Sequence, residues 1–230
     1  LEAWKAVKHW KNKRKKVVQA IANLSDRIVV LTKKSQSLLI DDYGYQKPKT
    51  TLIPHGTHTV LWSQKEILKN KYYYSNKIVL STFGLLSENK SIETVLYALP
   101  EIVKKHPAVI YLVIGKTHPE VIEGEHYRNS LIDIVEQYNL ENNVVFINEY
   151  LDLDQLLEYL TLSDIYLFTS KDPNQAVSGT LAYAMACGCS VIANPIPHAV
   201  EILNGSKGIL LDDFNKPEAF QNAILRLIDK

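Results

Sequence analysis

Cysteine and methionine are scarce in this chain, two and one among 230 residues. Cys187 and Cys189 stand two apart, a spacing that does not easily meet disulfide geometry. A disulfide framework is therefore excluded, and a reducing compartment fits. Metal binding by the pair would need further ligands at compatible spacing, and none stands nearby; both cysteines read as small buried residues. No apolar run reaches the ~18 residues of a membrane-spanning helix. No Gly-x-Gly-x-x-Gly occurs, which removes the plain dinucleotide-binding fingerprint. Internal repeats and low-complexity segments are lacking as well. Net charge is nearly absent: 26 Lys+Arg against 25 Asp+Glu leave +1, which argues against a generic polyanion binder and against nucleic acid as a partner.

What is present is a globular composition, 46% hydrophobic and 22% charged, too apolar for a disordered chain. The balanced charge hides an asymmetry. Residues 1–16 carry seven basic residues and one acid, Glu2, for +6, whereas the other 214 carry −5. Within this basic head Trp4, Val7 and Trp10 fall near one helical stripe, with Lys5, Lys8, Lys11 and Lys16 around them. Such a helix suits an anionic membrane surface, or it is a linker whose tryptophans cover a partner domain; the linker is the preferred reading. The expected division is a basic helix over residues 1–25 and one domain over 26–230. The chain begins at Leu1 and lacks a signal-peptide apolar core there. A piece of a longer, cytoplasmic protein is expected, peripheral to the inner face of the membrane if the basic helix binds lipid.

Short apolar, β-branched runs alternate with longer amphipathic stretches. The runs are Ile28–Leu31, Thr51–Ile53, Ile78–Phe83, Val109–Ile114, Val144–Ile147, Ile165–Phe168, Val191–Ala193 and Ile209–Leu211. Each is almost continuously hydrophobic, as strands covered on both faces are. Between them, Ile92, Val95, Leu96, Leu99 and Val103 recur at steps of three and four, as do Leu131, Ile134, Val135 and Tyr138. Leu153, Leu156, Leu157 and Leu160 repeat the pattern, and Phe220, Ala223, Ile224 and Leu227 build a last helix. The alternation predicts an α/β fold, a Rossmann-like parallel sheet with helices on both faces, preceded by the basic helix. The polar stretch His58–Lys77 reads as a surface loop or irregular helix.

Five motifs follow the ends of apolar runs. Ser178-Gly179-Thr180 opens an Ala-rich helix after Ile165–Phe168, where free backbone amides and the helix dipole favour an anion; plain N-capping by Ser178 is the alternative. In Phe83-Gly84-Leu85-Leu86-Ser87-Glu88-Asn89-Lys90 a strand ends at Gly84 and Lys90 opens a helix, a cation suited to a diphosphate. Ile53-Pro54-His55-Gly56, Gly115-Lys116-Thr117-His118 and Pro195-Ile196-Pro197-His198 follow three other runs. In a parallel sheet such ends share one rim, which turns five isolated turns into one expected crevice.

Taken in order, these motifs resemble the C-terminal, donor-binding domain of retaining family-four glycosyltransferases of the two-domain GT-B fold. The resemblance runs from about Asp26 to the end, carried by Ile53–Gly56, Phe83–Lys90, Ala182–Ala193 and Glu201. Gln175 to Glu201 is most similar to a bacterial branch whose signature includes Ser-Gly-Thr-Leu-Ala-Tyr-Ala. The resemblance implies that Lys90 contacts the donor diphosphate and that Ser178, Gly179 and Thr180 hold its phosphates. It also marks departures. The family carries two Glu residues eight apart, near the sugar hydroxyls and the ribose, where this chain has Gln175 and Tyr183. Leu85 stands where a basic residue is usual. Gln175 keeps hydrogen-bonding capacity without charge, Tyr183 offers a ring and a hydroxyl to the ribose, and Lys116 is a candidate replacement cation.

The implied function is transfer of a sugar from a nucleotide diphosphate sugar to a glycan or lipid-linked acceptor, with retention. No metal and no cofactor is expected. Lys90 and Gln175 stand as candidate catalytic residues, and Gly84, Lys90, Ser178, Gly179, Thr180, Tyr183 and His118 as donor-binding ones. The acceptor-binding N-terminal domain lies outside this chain in that reading, so the fragment binds donor without turning it over. Two alternatives stand beside it: a phosphorylase or epimerase on the same fold, and a non-catalytic module that has lost donor binding.

Overall fold

The computed structural model describes residues 2–45, 49–60, 64–117, 125–203, 205 and 207–229, with side chains from residue 13 onward. The chain divides into two compact units, residues 1–55 and 56–230, whereas the sequence pattern placed a boundary after residue 25.

The first unit contains α1 (Glu2–Leu24), β1 (Ile28–Val30), α2 (Lys33–Asp41) and β2 (Thr50–Leu52). The basic head is helical, as its stripe suggests. Val17, Ile21 and Leu24 continue an apolar stripe at steps of four and three and are all exposed. Thr32 caps α2 by accepting the Ser35 amide. The first two apolar runs are strands, but they pair in parallel only with each other among the described residues. This corrects the expectation of one sheet for all eight runs. Hydrophobicity marks a strand; it carries no information on which sheet the strand joins.

The second unit is the α/β body. Its elements are α3 (Lys65–Lys71), β3 (Ile78–Phe83), α4 (Glu93–Lys105), β4 (Val109–Ile114), α5 (His126–Gln137), β5 (Val144–Ile147) and α6 (Leu153–Leu162), then β6 (Ile165–Phe168), α7 (Gly179–Ala186), β7 (Ser190–Ala193), α8 (Pro197–Ile202), β8 (Ile209–Leu210) and α9 (Pro217–Ile228). The six strands run parallel in the order β5-β4-β3-β6-β7-β8. Alternate residues feed opposite faces. Tyr111 and Val113 of β4 enter a core with α4, α5 and α9, while Ile110, Leu112 and Ile114 face Leu68 of α3 and Leu162 of α6. Tyr166 and Phe168 of β6 join a third cluster with Leu181 and Ala184 of α7. Helices on both faces bury most residues of the central strands, which explains the unbroken apolar runs.

Residues 58–77, read as a surface loop or irregular helix, hold the short helix α3. Its stability comes from long-range partners that local pattern does not show. The buried Lys69 ammonium lies 2.6 Å from Asp164 and donates to the Lys77 carbonyl, and Asp164 also accepts the Val79 amide at 2.8 Å. The Tyr72 ring lies 4.5 Å from that of Tyr159 on α6.

The strand order reverses beside β3: the chain steps outward through β4 and β5, then returns to add β6 on the other side. Connections leaving β3 and β6 therefore diverge, and a crevice opens at their carboxyl ends. Gly84 and Lys90 follow β3, and Gln175 and Ser178 follow β6.

Candidate donor site

The β3 wall is shaped by two glycines. Gly84 has φ +138° and Gly115 φ +129°, a region closed to residues with a β-carbon. The Gly84 amide donates to Ile114 O and that of Gly115 to Ile147 O, which carries the ladder past the strand ends. Leu86 then donates to Lys116 O, so the Leu85 turn stays against the β4 loop. Buried Arg128 of α5 supports this loop by donating to Gly115 O at 3.0 Å.

Lys90 ends a short 3₁₀ turn, Glu88–Lys90, rather than opening α4. Ser91 interrupts with a left-handed φ of +49°, held by its hydroxyl on Asn215 at 2.8 Å and beside Thr94 at 3.0 Å. The turn is tied to β6 by the Thr169 hydroxyl, which donates to the Lys90 carbonyl. The ammonium lies 3.4 Å from the point a Gly84 β-carbon would occupy, and the Thr180 methyl lies 3.6 Å from the same point. Burial pushes the Lys90 amine below its ordinary range, with no charged group contributing. This half-buried cation, without a carboxylate partner among the described residues, stands over the glycine, beside the start of α7.

Ser178 caps α7: its Oγ accepts the Leu181 amide at 3.3 Å. Its own amide is not open to a ligand, because it donates to Nδ1 of buried His198 at 2.9 Å. Of the three residues expected to hold phosphates, Ser178 thus has its amide engaged within the protein, and Gly179 and Thr180 follow it as the first two residues of α7. Lys90 and Thr180 line one small hollow together with Thr169 and Ser170.

Gln175 points into its own loop. Its Oε1 accepts the Ser170 hydroxyl at 2.7 Å, and its Nε2 donates to Val177 O at 3.2 Å. The Tyr183 hydroxyl lies 3.0 Å from His58 Nδ1, with the two rings stacked at 5.8 Å and 24°. Sequence pattern did not show the pairing of His58 with Tyr183. A histidine in a polar loop has no local signal, and its partner lies 125 positions away. His118 lies outside the described residues. The Ile53-Pro54-His55-Gly56 turn follows a strand of the two-stranded sheet, whereas the other four motifs follow strands of the six-stranded one.

Beside Gly84 and Gly115 lies a cleft of about 200 Å³, walled by Leu85, Lys116, Tyr150 and Leu156 with Glu149. Its apolar walls suit a flat ring more than a charge. A more polar hollow of about 460 Å³ lies at the opposite, amino-terminal ends of β7 and β8, away from all the candidate residues. The one Asp-x-Asp triplet of the chain, Asp152-Leu153-Asp154, is accounted for by α6: Asp152 accepts the Gln155 amide as N-cap, and Asp154 sits in the first turn.

Residues 77–230 match the family model described as Glycosyl transferases group 1. An uncharacterized glycosyltransferase of Methanocaldococcus jannaschii is 27% identical over 219 residues, which are 94% of this chain and 52% of that protein. Among solved structures, Anabaena HepE in complex with UDP-glucose matches with a TM-score of 0.77 at 22% identity, over 96% of this chain and 59% of the other. Sucrose-phosphate synthase from Thermosynechococcus elongatus matches with 0.75 at 23% identity, over 95% and 53%. The chain spans about half the length of the curated relatives it matches.

Proposed function

The chain belongs to the group 1 glycosyl transferases, and on that premise we propose that it is the donor half of an enzyme moving a sugar from a nucleotide diphosphate sugar to a glycan or lipid-linked acceptor, with retention. One observation carries this reading. The half-buried Lys90 ammonium, with no carboxylate partner among the described residues, and Thr180 line one hollow at the strand-order reversal, where Gly179 opens α7. A diphosphate placed there receives a cation from β3 and helix-end donors from α7. The adjoining cleft at Leu85, Lys116 and Tyr150 takes the nucleoside. Leaving-group charge builds on the distal phosphate as the sugar departs, and donors fixed beforehand stabilise that charge without reorganising. The proposal needs neither a metal nor a cofactor.

The acceptor belongs to the part of the protein that the family's other half supplies. The same reading keeps membrane contact as a role for the basic α1. Liposome co-sedimentation that is unchanged by deleting residues 1–16 rejects it.

Calorimetry with UDP tests the donor site. Binding that Lys90→Ala abolishes supports it, and absence of binding by any nucleoside diphosphate at millimolar concentration overturns it. A second reading, a module without catalysis, is favoured by Gln175 and Tyr183, whose polar groups are engaged within the protein. Under that reading donor binding is lost, and neither UDP nor a UDP-sugar binds.

A further inference from the structure

We propose that His198 is a positioning residue for the anion-binding end of α7 and acts through Ser178. The inference rests on the donor-site reading above and goes beyond it. The Ser178 amide donates to His198 Nδ1 at 2.9 Å, and both residues are only 4% exposed. An acceptor at Nδ1 fixes the neutral ring's proton on Nε2. The contact holds Ser178 in its extended conformation, φ −136° and ψ 115°, so that Oγ turns to the Leu181 amide and lies 3.0 Å from the Thr180 hydroxyl. Gly179 and Thr180, the first two residues of α7, thereby start from a fixed cap.

A second contact shows the same segment at work on the other end of the loop. Asn194, fully buried at the end of β7, donates from Nδ2 to Thr169 O at 2.8 Å and to Ser170 O at 3.2 Å. The loop from β6 to α7, which carries Gln175, is therefore clamped at its start by Asn194 and at its finish by His198. The two clamps stand four positions apart in one β7–α8 segment. Without the ring acceptor, the Ser178 amide is a buried donor lacking a partner. It satisfies itself by turning toward any incoming anion, which pulls Gly179 and Thr180 out of register.

The test compares wild type, His198→Asn, His198→Gln and His198→Leu by calorimetric titration with UDP, with thermal melts as a folding control. An Asn carbonyl oxygen reaches the place of Nδ1, a Gln carbonyl oxygen reaches beyond it, and Leu supplies no acceptor. His198→Asn is expected within about threefold of wild-type affinity, and His198→Gln and His198→Leu about tenfold or more weaker, the loss that one misplaced hydrogen bond brings. The ring ¹⁵N spectrum of wild type is expected to show Nδ1 without a proton. Equal UDP affinity in all four proteins overturns the inference and leaves the donor site standing. A protonated Nδ1 in the spectrum also overturns it, and serves as the deciding measurement if the Leu variant does not fold. Failure of wild type to bind UDP overturns the donor reading, and this inference with it.

Discussion

Gly115 is locked against Gly84: a β-carbon on Gly115 would lie 2.1 Å from the Gly84 carbonyl oxygen. The two glycines end neighbouring strands, and both hold positive φ, so the backbone of β3 passes the β4 loop at a distance no side chain permits. At Gly84 the added atom meets side-chain ends alone, that of Lys90 at 3.4 Å and the Thr180 methyl at 3.6 Å. The consequences of substitution differ accordingly. Gly84→Ala is expected to cost about 1–3 kcal/mol, the strain of its backbone region, and to weaken UDP binding by displacing the ammonium. Gly115→Ala adds a backbone clash and is expected to exceed about 4 kcal/mol, in the range of rare, severe substitutions. Thermal and urea denaturation of the two variants check the order; equal losses would refute the clash.

Lys90 is kept charged at the expense of stability. Burial lowers its pKa from the ordinary 10.5, so the folded state holds the proton less tightly than the unfolded chain. At neutral pH the charged form therefore opposes folding, and that penalty is relieved only as pH rises through the folded-state pKa toward 10.5. Lys90→Met keeps the stem and removes the charge. The melting temperature is expected to stay level or rise, while UDP affinity falls at least tenfold, or about 1.4 kcal/mol. A variant that loses stability and affinity together would show that the lysine serves the fold rather than the ligand.

The sheet was legible because parallel strands bury both faces. Residues 109–114 read as a strand from six successive apolar side chains, and all six are buried. Lys90 and Ser178 were legible because glycine and capping residues mark strand and helix ends. What escaped was set by distance along the chain. That the Ser178 amide is spent depends on a ring twenty positions later. The inward turn of Gln175 depends on Ser170 and Val177 adopting one loop shape. The separate pairing of β1 with β2 reflects a choice of partner strand that no run of valines encodes. The helix at residues 65–71 owes its anchorage to Asp164, almost a hundred positions on.

The two thiols are expected to be inert in the native state. Cys187 and Cys189 are both buried, and Cys189 lies 3.1 Å from the Leu160 carbonyl. Burial, with the neighbouring Cys187 adding to it, pushes the Cys189 thiol up to about 12, and burial also raises Cys187. Almost no thiolate forms at pH 8, and the thiolate is the reactive species. A disulfide reagent such as Ellman's is expected to modify both residues roughly a hundredfold more slowly in the native protein than in urea. Fast modification of either thiol under native conditions would contradict the burial.

The start of α4, directly after Lys90, hangs on Tyr127. Its hydroxyl donates to Glu93 Oε2 at 2.6 Å and accepts the Ile92 amide at 2.9 Å. Tyr127→Phe leaves a carboxylate and an amide without that partner, an expected loss of about 1–3 kcal/mol at pH 7. Burial, then the bond to Glu93, raises the Tyr127 pKa far above its ordinary value. The folded state therefore keeps this proton where the unfolded chain, titrating near 10, releases it. The unfolded state binds fewer protons above pH 10, so stability is level below that value and falls as pH rises beyond it. Each such tyrosine contributes a slope of about 1.4 kcal/mol per pH unit, and burial raises Tyr111 and Tyr166 in the same direction. Urea denaturation between pH 8 and 11 is expected to show Tyr127→Phe less stable throughout the lower range, but losing stability with a slope shallower by one proton above pH 10. Parallel slopes in wild type and variant would mean that Tyr127 ionises in the folded protein, and that its bond to Glu93 does not hold.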